Sequence, residues 1–389
     1  MSDKLENRSP WYARLNVLMG IWLVVGIFTG WKQYSLSEVH SHIHNFQIFR
    51  TSYSHFVQGM HLYELYPKEY FDLYLYGPVF AILMAPFAYL PLGWSVVVWN
   101  GLNTGMLCWA VWNLPMDRMK RAVILWIILN STITALLNTQ FHALCVAMIL
   151  WSYIMMQRGK LGWSALLIAL GIFIKFYGIV GLAFFFFTRE RWRYAGYLVF
   201  WLIVVFIFPF LFGGVDYTWQ CYQEWMAVLA HKNTLNVDIR NLRTDVCVMG
   251  MFRRITGDGN LSNLWFLIPS LLLSAWVYFQ PKKWFQVDFQ LRLMALVLIY
   301  LMLASTGTES PTLIMAFPGV GIWFVLGEKT RGRWVLFIVT MLVSSFSPTD
   351  LFPAYLREAY INRYALMILP LLWVWVSLLM DLHKPIKEV

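Results

Sequence analysis

Residues 38–78 form the polar segment richest in groups able to move a proton. Glu38 is followed by His40, His42 and His44 at alternate positions, then by Arg50 and, further on, Asp72. In an extended segment that alternation would set three imidazoles on one face, as metal ligands or as a pH-sensing cluster. A solvated polar loop has the same look, and no Cys or acidic residue stands at finger spacing, so no metal is assigned. Asp72 suits a general base and equally suits a cap on the segment after it. Lys175 interrupts an apolar stretch from Leu161 to Phe187, where a cation is costly unless it reaches an anion or water. That stretch is too long for one span and too short for two, so Lys175 is expected at the turn of a helical hairpin, facing a phosphate or snorkelling to headgroups. Arg253 and Arg254 stand just before another apolar run, and Arg357 lies in a late polar segment; each is a candidate for an anionic ligand, and interfacial anchoring is the plainer use of such residues. Glu309, in Ser305-Thr-Gly-Thr-Glu-Ser-Pro311, is placed to orient hydroxyl groups.

The elements that must position these groups are apolar helices. Of 389 residues, 59% are hydrophobic and 13% charged, far from the composition of a soluble domain, and mean hydropathy is +0.58. Disorder, coiled coil and a disulfide scaffold are excluded, leaving an all-α polytopic membrane protein. Runs at 12–31, 94–112, 121–137, 142–157, 161–174, 176–187, 194–212, 263–280, 291–304, 311–327, 335–346 and 362–381 predict about twelve transmembrane helices. The first reads as an uncleaved span and not as a signal peptide. A further run at 78–92 contains Pro78, Pro86 and Pro91. Leaving it out of the count puts every short basic connection on one side, which the positive-inside rule makes cytoplasmic together with both termini. The net charge of +10 then needs no nucleic-acid partner. The chain is expected to be a single membrane domain, 1–389, with outer loops at 32–93, carrying interfacial helices, and at 213–262. Trp219, Tyr222 and Trp225 in the second loop have the spacing of an interfacial amphipathic helix. Cys221 and Cys247 share that loop and could pair if the compartment oxidises. No G-x-x-x-x-G-K-[ST] element occurs, which argues against an ATP-driven pump.

The first loop contains Asn45-Phe46-Gln47-Ile48-Phe49, Gly59 to Tyr63, and Tyr76-Gly77-Pro78. In order and spacing these resemble the Asp-Phe-x-Val-Tyr, Gly-x-x-x-Tyr and Tyr-Pro-Pro elements of glycosyltransferase family 87. Asn138-Thr139-Gln140 and Gly171 to Tyr177, with Lys175, resemble two later elements. The resemblance implies a GT-C-type helical bundle that moves a hexose, mannose by analogy, from a polyprenyl-phosphate donor to a lipid or glycan acceptor hydroxyl on the non-cytoplasmic face, with inversion, in a plasma membrane of bacterial type and with no cofactor. It also implies roles: Tyr76, Gln140 and Lys175 at the substrates, with Arg50, Arg253, Arg254, Glu309 and Arg357 as further ligands. The family's expected base is the Asp of the first element, where this chain has Asn45. A neutral amide cannot accept the proton, so Glu38, His44 or Asp72 must replace it, Asp72 before His44 because it precedes the Tyr76-Gly77-Pro78 turn, or the activity has changed.

Readings from other classes are a transporter or flippase for a lipid-linked or small polar substrate, and another outer-face transferase such as an oligosaccharide ligase. Transporters usually carry inverted repeats and ionisable residues near the midplane, and this sequence shows neither.

Overall fold

The computed structural model describes residues 10–36 and 40–384, and Glu38 and the two ends of the chain lie outside them. The described residues are helical, with no strand among them, and each of the twelve apolar runs is a helical segment. Five helices among them are long and apolar enough to cross a membrane: Leu15–Ser35, Arg118–Leu137, Arg191–Gly213, Val287–Ala304 and Leu366–His383. Five more apolar helices are shorter. One of these, Tyr177–Phe187, is a 3-10 helix, whose steeper rise gives eleven residues more reach than an α-helix would. The proline-rich run at 78–92 forms only two short helices, Pro78–Leu83 and Ala85–Tyr89, and then feeds the 21-residue helix Leu92–Trp112.

The chain packs as two compact units, residues 1–122 with 135–232 and residues 123–134 with 233–389. In the first, Leu15–Ser35 lies against Leu92–Trp112 through small residues. A Cβ added at Gly26 would come 2.3 Å from Thr104 Oγ1, and one at Gly30 would come 2.8 Å from Val97 Cα. Two glycines four apart thus bring the backbones together, as in membrane helix pairs generally. The buried Asn100 Nδ2 donates to Thr29 Oγ1 (3.2 Å) and to the Leu136 carbonyl (3.1 Å), so these polar donors of the helix are satisfied inside the bundle. A second close crossing joins Leu161–Lys175 to the segment after it, where Gly171 and Gly178 leave no room for a Cβ on either side. The turn between them is made by Phe176, at φ +54°.

In the second unit Asp381, almost fully buried, receives Arg333 at 2.6 Å and Arg292 at 3.2 Å. Two π-helical turns, Met341–Phe346 and Arg357–Asn362, interrupt its regular helices. The Asn130 amide donates to the Ser345 carbonyl (2.8 Å) within the first of them.

Candidate functional site

Four segments of the first unit converge on one place: 42–49, 74–78, 138–142 and 173–177. The helix Ile43–Val57 begins there. This start corrects the reading of an extended histidine segment, because chain that turns helical at Ile43 cannot keep His40, His42 and His44 on one face. His42 is exposed at the helix N-cap, whereas the His44 ring packs on Phe71 with centroids 4.2 Å apart. Both His44 ring nitrogens are buried and have no hydrogen-bond partner. Among the described residues no group of His, Cys, Asp or Glu is arranged to hold a metal ion.

The turn at Asn138-Thr139-Gln140 is tied to that helix start. Thr139 takes φ +48°, which costs a residue with a Cβ about 1–2 kcal/mol, so the surroundings must enforce it. They do: its hydroxyl donates to the His42 carbonyl (2.8 Å), and its own carbonyl accepts from Trp99 Nε1 (3.2 Å). Asn45 completes the tie, its Nδ2 donating to the Asn138 carbonyl at 2.9 Å. A carboxylate could not make that bond, so the amide at position 45 has a structural use. Gln140 is half-buried in the same turn.

His142, 1% exposed, follows the turn, and its Nε2 lies 3.0 Å from Lys175 Nζ. The ammonium also donates to Tyr76 Oη (3.3 Å) and sits over the rings of Tyr76 and Tyr177, at 4.9 and 5.5 Å from the centroids. These three side chains are neutral, and the two aromatic faces attract the ammonium. Lys175 is the last residue of its helix, at the hairpin turn where the sequence put it. Tyr76 is buried and held edge-on by Phe49 at 4.9 Å. Gly77 is needed beside it, because a Cβ there would come 2.0 Å from the Phe173 carbonyl oxygen and 3.0 Å from the Trp225 ring. Trp225 therefore walls the site, donating to the Leu75 carbonyl and stacking on Phe176. This corrects part of the interfacial reading: Trp219 is exposed, but Tyr222 and Trp225 are buried. Around the turn, burial pushes the Tyr63 and Tyr74 phenols well above their ordinary range. Tyr63 donates to the Tyr76 carbonyl, and Tyr74 to that of Gly77.

Asp72 is exposed. Its carboxylate accepts from Lys232 Nζ at 3.1 and 3.2 Å and from the Leu73 N–H at 2.8 Å. Since Phe71 covers His44, the two candidate bases flank one exposed aromatic side chain.

The remaining candidates are engaged elsewhere. Arg50 clamps the end of Ala85–Tyr89, donating to the carbonyls of Phe87, Ala88 and Leu90, and so is a helix-end ligand and not an open phosphate ligand. Arg253, in the second unit, is 1% exposed and meets Asp245 through Nε (2.8 Å) and Nη2 (2.7 Å), with Asn263 and the Leu261 carbonyl taking its other donors. Arg254 holds the carbonyls of Asn241, Thr244 and Asn362. Glu309 forms a capping box with Thr312, and Arg357 bonds Glu358 and the Thr349 carbonyl. All four cysteines are free, so Cys221 and Cys247 form no disulfide. Sequence reasoning passed over His142 and gave Thr139 no role of its own within the 138–140 element. The available signal was a histidine opening an otherwise apolar run two residues after Gln140.

No curated protein matches the chain. A family profile does, over residues 74–306, which include Tyr76, the 138–142 turn and Lys175. With more than half its length matched and its helices of membrane-crossing length, the chain belongs to glycosyltransferase family 87 and is a membrane glycosyltransferase.

Proposed function

We propose that this glycosyltransferase moves a hexose, mannose by the family resemblance, from a polyprenyl phosphate to the hydroxyl of a lipid- or glycan-linked acceptor, with inversion, on the non-cytoplasmic face of a bacterial-type plasma membrane. The observation that carries the reading is the Lys175 ammonium, lodged between His142 and Tyr76 at the meeting of four segments. A leaving phosphate gains charge as its bond to the anomeric carbon breaks, and a preorganised cation beside a phenol stabilises that charge. The acceptor oxygen forms the new bond from the opposite side, and its proton passes to a base. His44 fits that role better than Asp72 does, because its ring nitrogens have no partner whereas Asp72 is tied to Lys232. An acceptor that reaches the imidazole displaces Phe71. The products are the glycoside and the free polyprenyl phosphate, and the reading calls on no metal or organic cofactor. It includes a GT-C-type arrangement of about twelve crossings with both termini cytoplasmic.

The test is transfer of radiolabelled hexose from a polyprenyl-phosphate donor by the purified full-length protein in detergent. Transfer by wild type, its loss in Lys175→Ala and its loss in His44→Ala are expected. Full activity in both variants sinks the site assignment. Counterflow of substrate in proteoliposomes without sugar transfer would replace the donor and acceptor assignment with transport.

A further inference from the structure

The second unit contains a cavity of about 810 Å³ between the 239–242 loop and the 354–363 segment. The charges lining it do not cancel. Arg240 is paired with Asp238 at 2.7 Å, and Glu358 is held by Arg357 and Asn362, each at 2.9 Å, so these rim charges are neutralised. Arg254 and Arg363 are not. The donors of Arg254 go to three backbone carbonyls, which fix the guanidinium without cancelling its charge, and the nearby Asp245 is already matched by Arg253. Arg363 is exposed, lies 5.4 Å from the Tyr364 ring and has no ion pair among the described residues.

The segment that carries Arg363 departs from regular α-helix. Arg357–Asn362 is a π-turn, and Arg363 follows it directly, lining the cavity together with Glu358 and Ala359. Ala365 then ends the turn at φ +51°, a conformation that a residue with a Cβ adopts only under constraint. The cavity also has an apolar part: Leu242 and Tyr355 line it, and both are exposed.

We propose that this cavity binds a phosphate ester carried on an amphiphile. Arg363 supplies open donors to the phosphate oxygens, Arg254 supplies fixed positive charge, and Leu242 with Tyr355 receives the adjoining apolar portion. The proposal draws nothing from the donor assignment at Lys175, which belongs to the first unit.

Calorimetric titration of the full-length protein in a neutral detergent tests it, with dioctanoyl phosphatidylglycerol, dioctanoylglycerol and glycerol 3-phosphate as separate probes. Saturable binding of the first and none of the second is expected. Arg363→Gln should weaken that binding roughly tenfold, Arg363→Lys should weaken it less, and Arg240→Gln should change it by less than about twofold. Because Arg363 is exposed, its variants are expected to keep the wild-type melting temperature. If glycerol 3-phosphate binds as tightly as the lipid, the ligand is a soluble phosphate ester and the amphiphile assignment falls. Absence of saturable phosphatidylglycerol binding, or equal binding by Arg363→Gln, overturns the site altogether.

Discussion

Lys175 Nζ lies 3.0 Å from Nε2 of His142, a buried imidazole that meets the ammonium as a hydrogen-bond acceptor. That contact requires the proton of neutral His142 to be on Nδ1, and it fixes where the ammonium sits. His142 is thus a positioning residue for Lys175. His142→Ala should lower the rate of transfer by one to two orders of magnitude while Lys175→Ala removes it, as expected where one group supports another that stabilises charge. His142→Gln restores an acceptor and should recover part of the loss. Radiolabelled transfer by the purified variants reads this. Equal, complete loss in His142→Gln and Lys175→Ala would place His142 in the chemistry itself.

Asn45 gives a sharper contrast. If the position retained the family's catalytic role, Asn45→Asp would raise the rate. The geometry predicts the reverse, since the amide donates to the Asn138 carbonyl, and a carboxylate there would set oxygen against oxygen at 2.9 Å. Asn45→Asp should lower both the melting temperature in detergent and the rate of transfer. The lost bond to a neutral carbonyl and the new repulsion together cost about 1–3 kcal/mol. A faster enzyme would show that a carboxylate at this position can act as the base.

The sequence shows some of these residues clearly and hides others for reasons that can be named. Lys175 was visible because a cation in an apolar run has few tolerable positions, and the hairpin turn is one of them. The apolar helices were visible because long apolar runs write themselves as composition, and five of them among the described residues are long enough to cross a membrane. Arg50 and Arg253 could not be placed from sequence, because a guanidinium looks the same whether it meets a phosphate, a carboxylate or a carbonyl, and their partners at Phe87 and Asp245 are set by tertiary packing. The histidine alternation misled because it carries meaning only in extended chain, and the helix starts inside it.

Arg253 supplies a test that separates stability from function. The side chains of Arg253 and Asp245 are 1% and 5% exposed and form a two-pronged pair. Removing one member leaves the other charge buried, at a cost of about 3–5 kcal/mol. Arg253→Gln should therefore lower the melting temperature steeply, and the charge-preserving Arg253→Lys should lower it less. In whatever fraction stays folded, the affinity for donor should be that of wild type. Weaker donor binding at unchanged melting temperature would return Arg253 to the phosphate.

The buried phenols beside the Tyr76-Gly77-Pro78 turn make stability depend on alkaline pH, and the sign follows from which state can ionise. Burial holds the Tyr63 and Tyr74 phenols well above the ordinary value near 10, to which both revert in the unfolded chain. Below about pH 10 neither state is ionised and the contribution of each phenol is whole. Above it the unfolded chain releases the protons while the folded chain keeps them, so stability falls as pH rises, by about 1.4 kcal/mol per pH unit for each phenol. Tyr74→Phe removes one of these groups together with its hydrogen bond to the Gly77 carbonyl at 3.1 Å. The variant should then be less stable than wild type by about 1 kcal/mol at pH 8 and should lose melting temperature more slowly between pH 10 and 11.5. Melting curves of the detergent-solubilised protein decide the matter: parallel pH profiles for wild type and Tyr74→Phe would mean that the phenol reaches solvent and that the turn over Lys175 is open on that side.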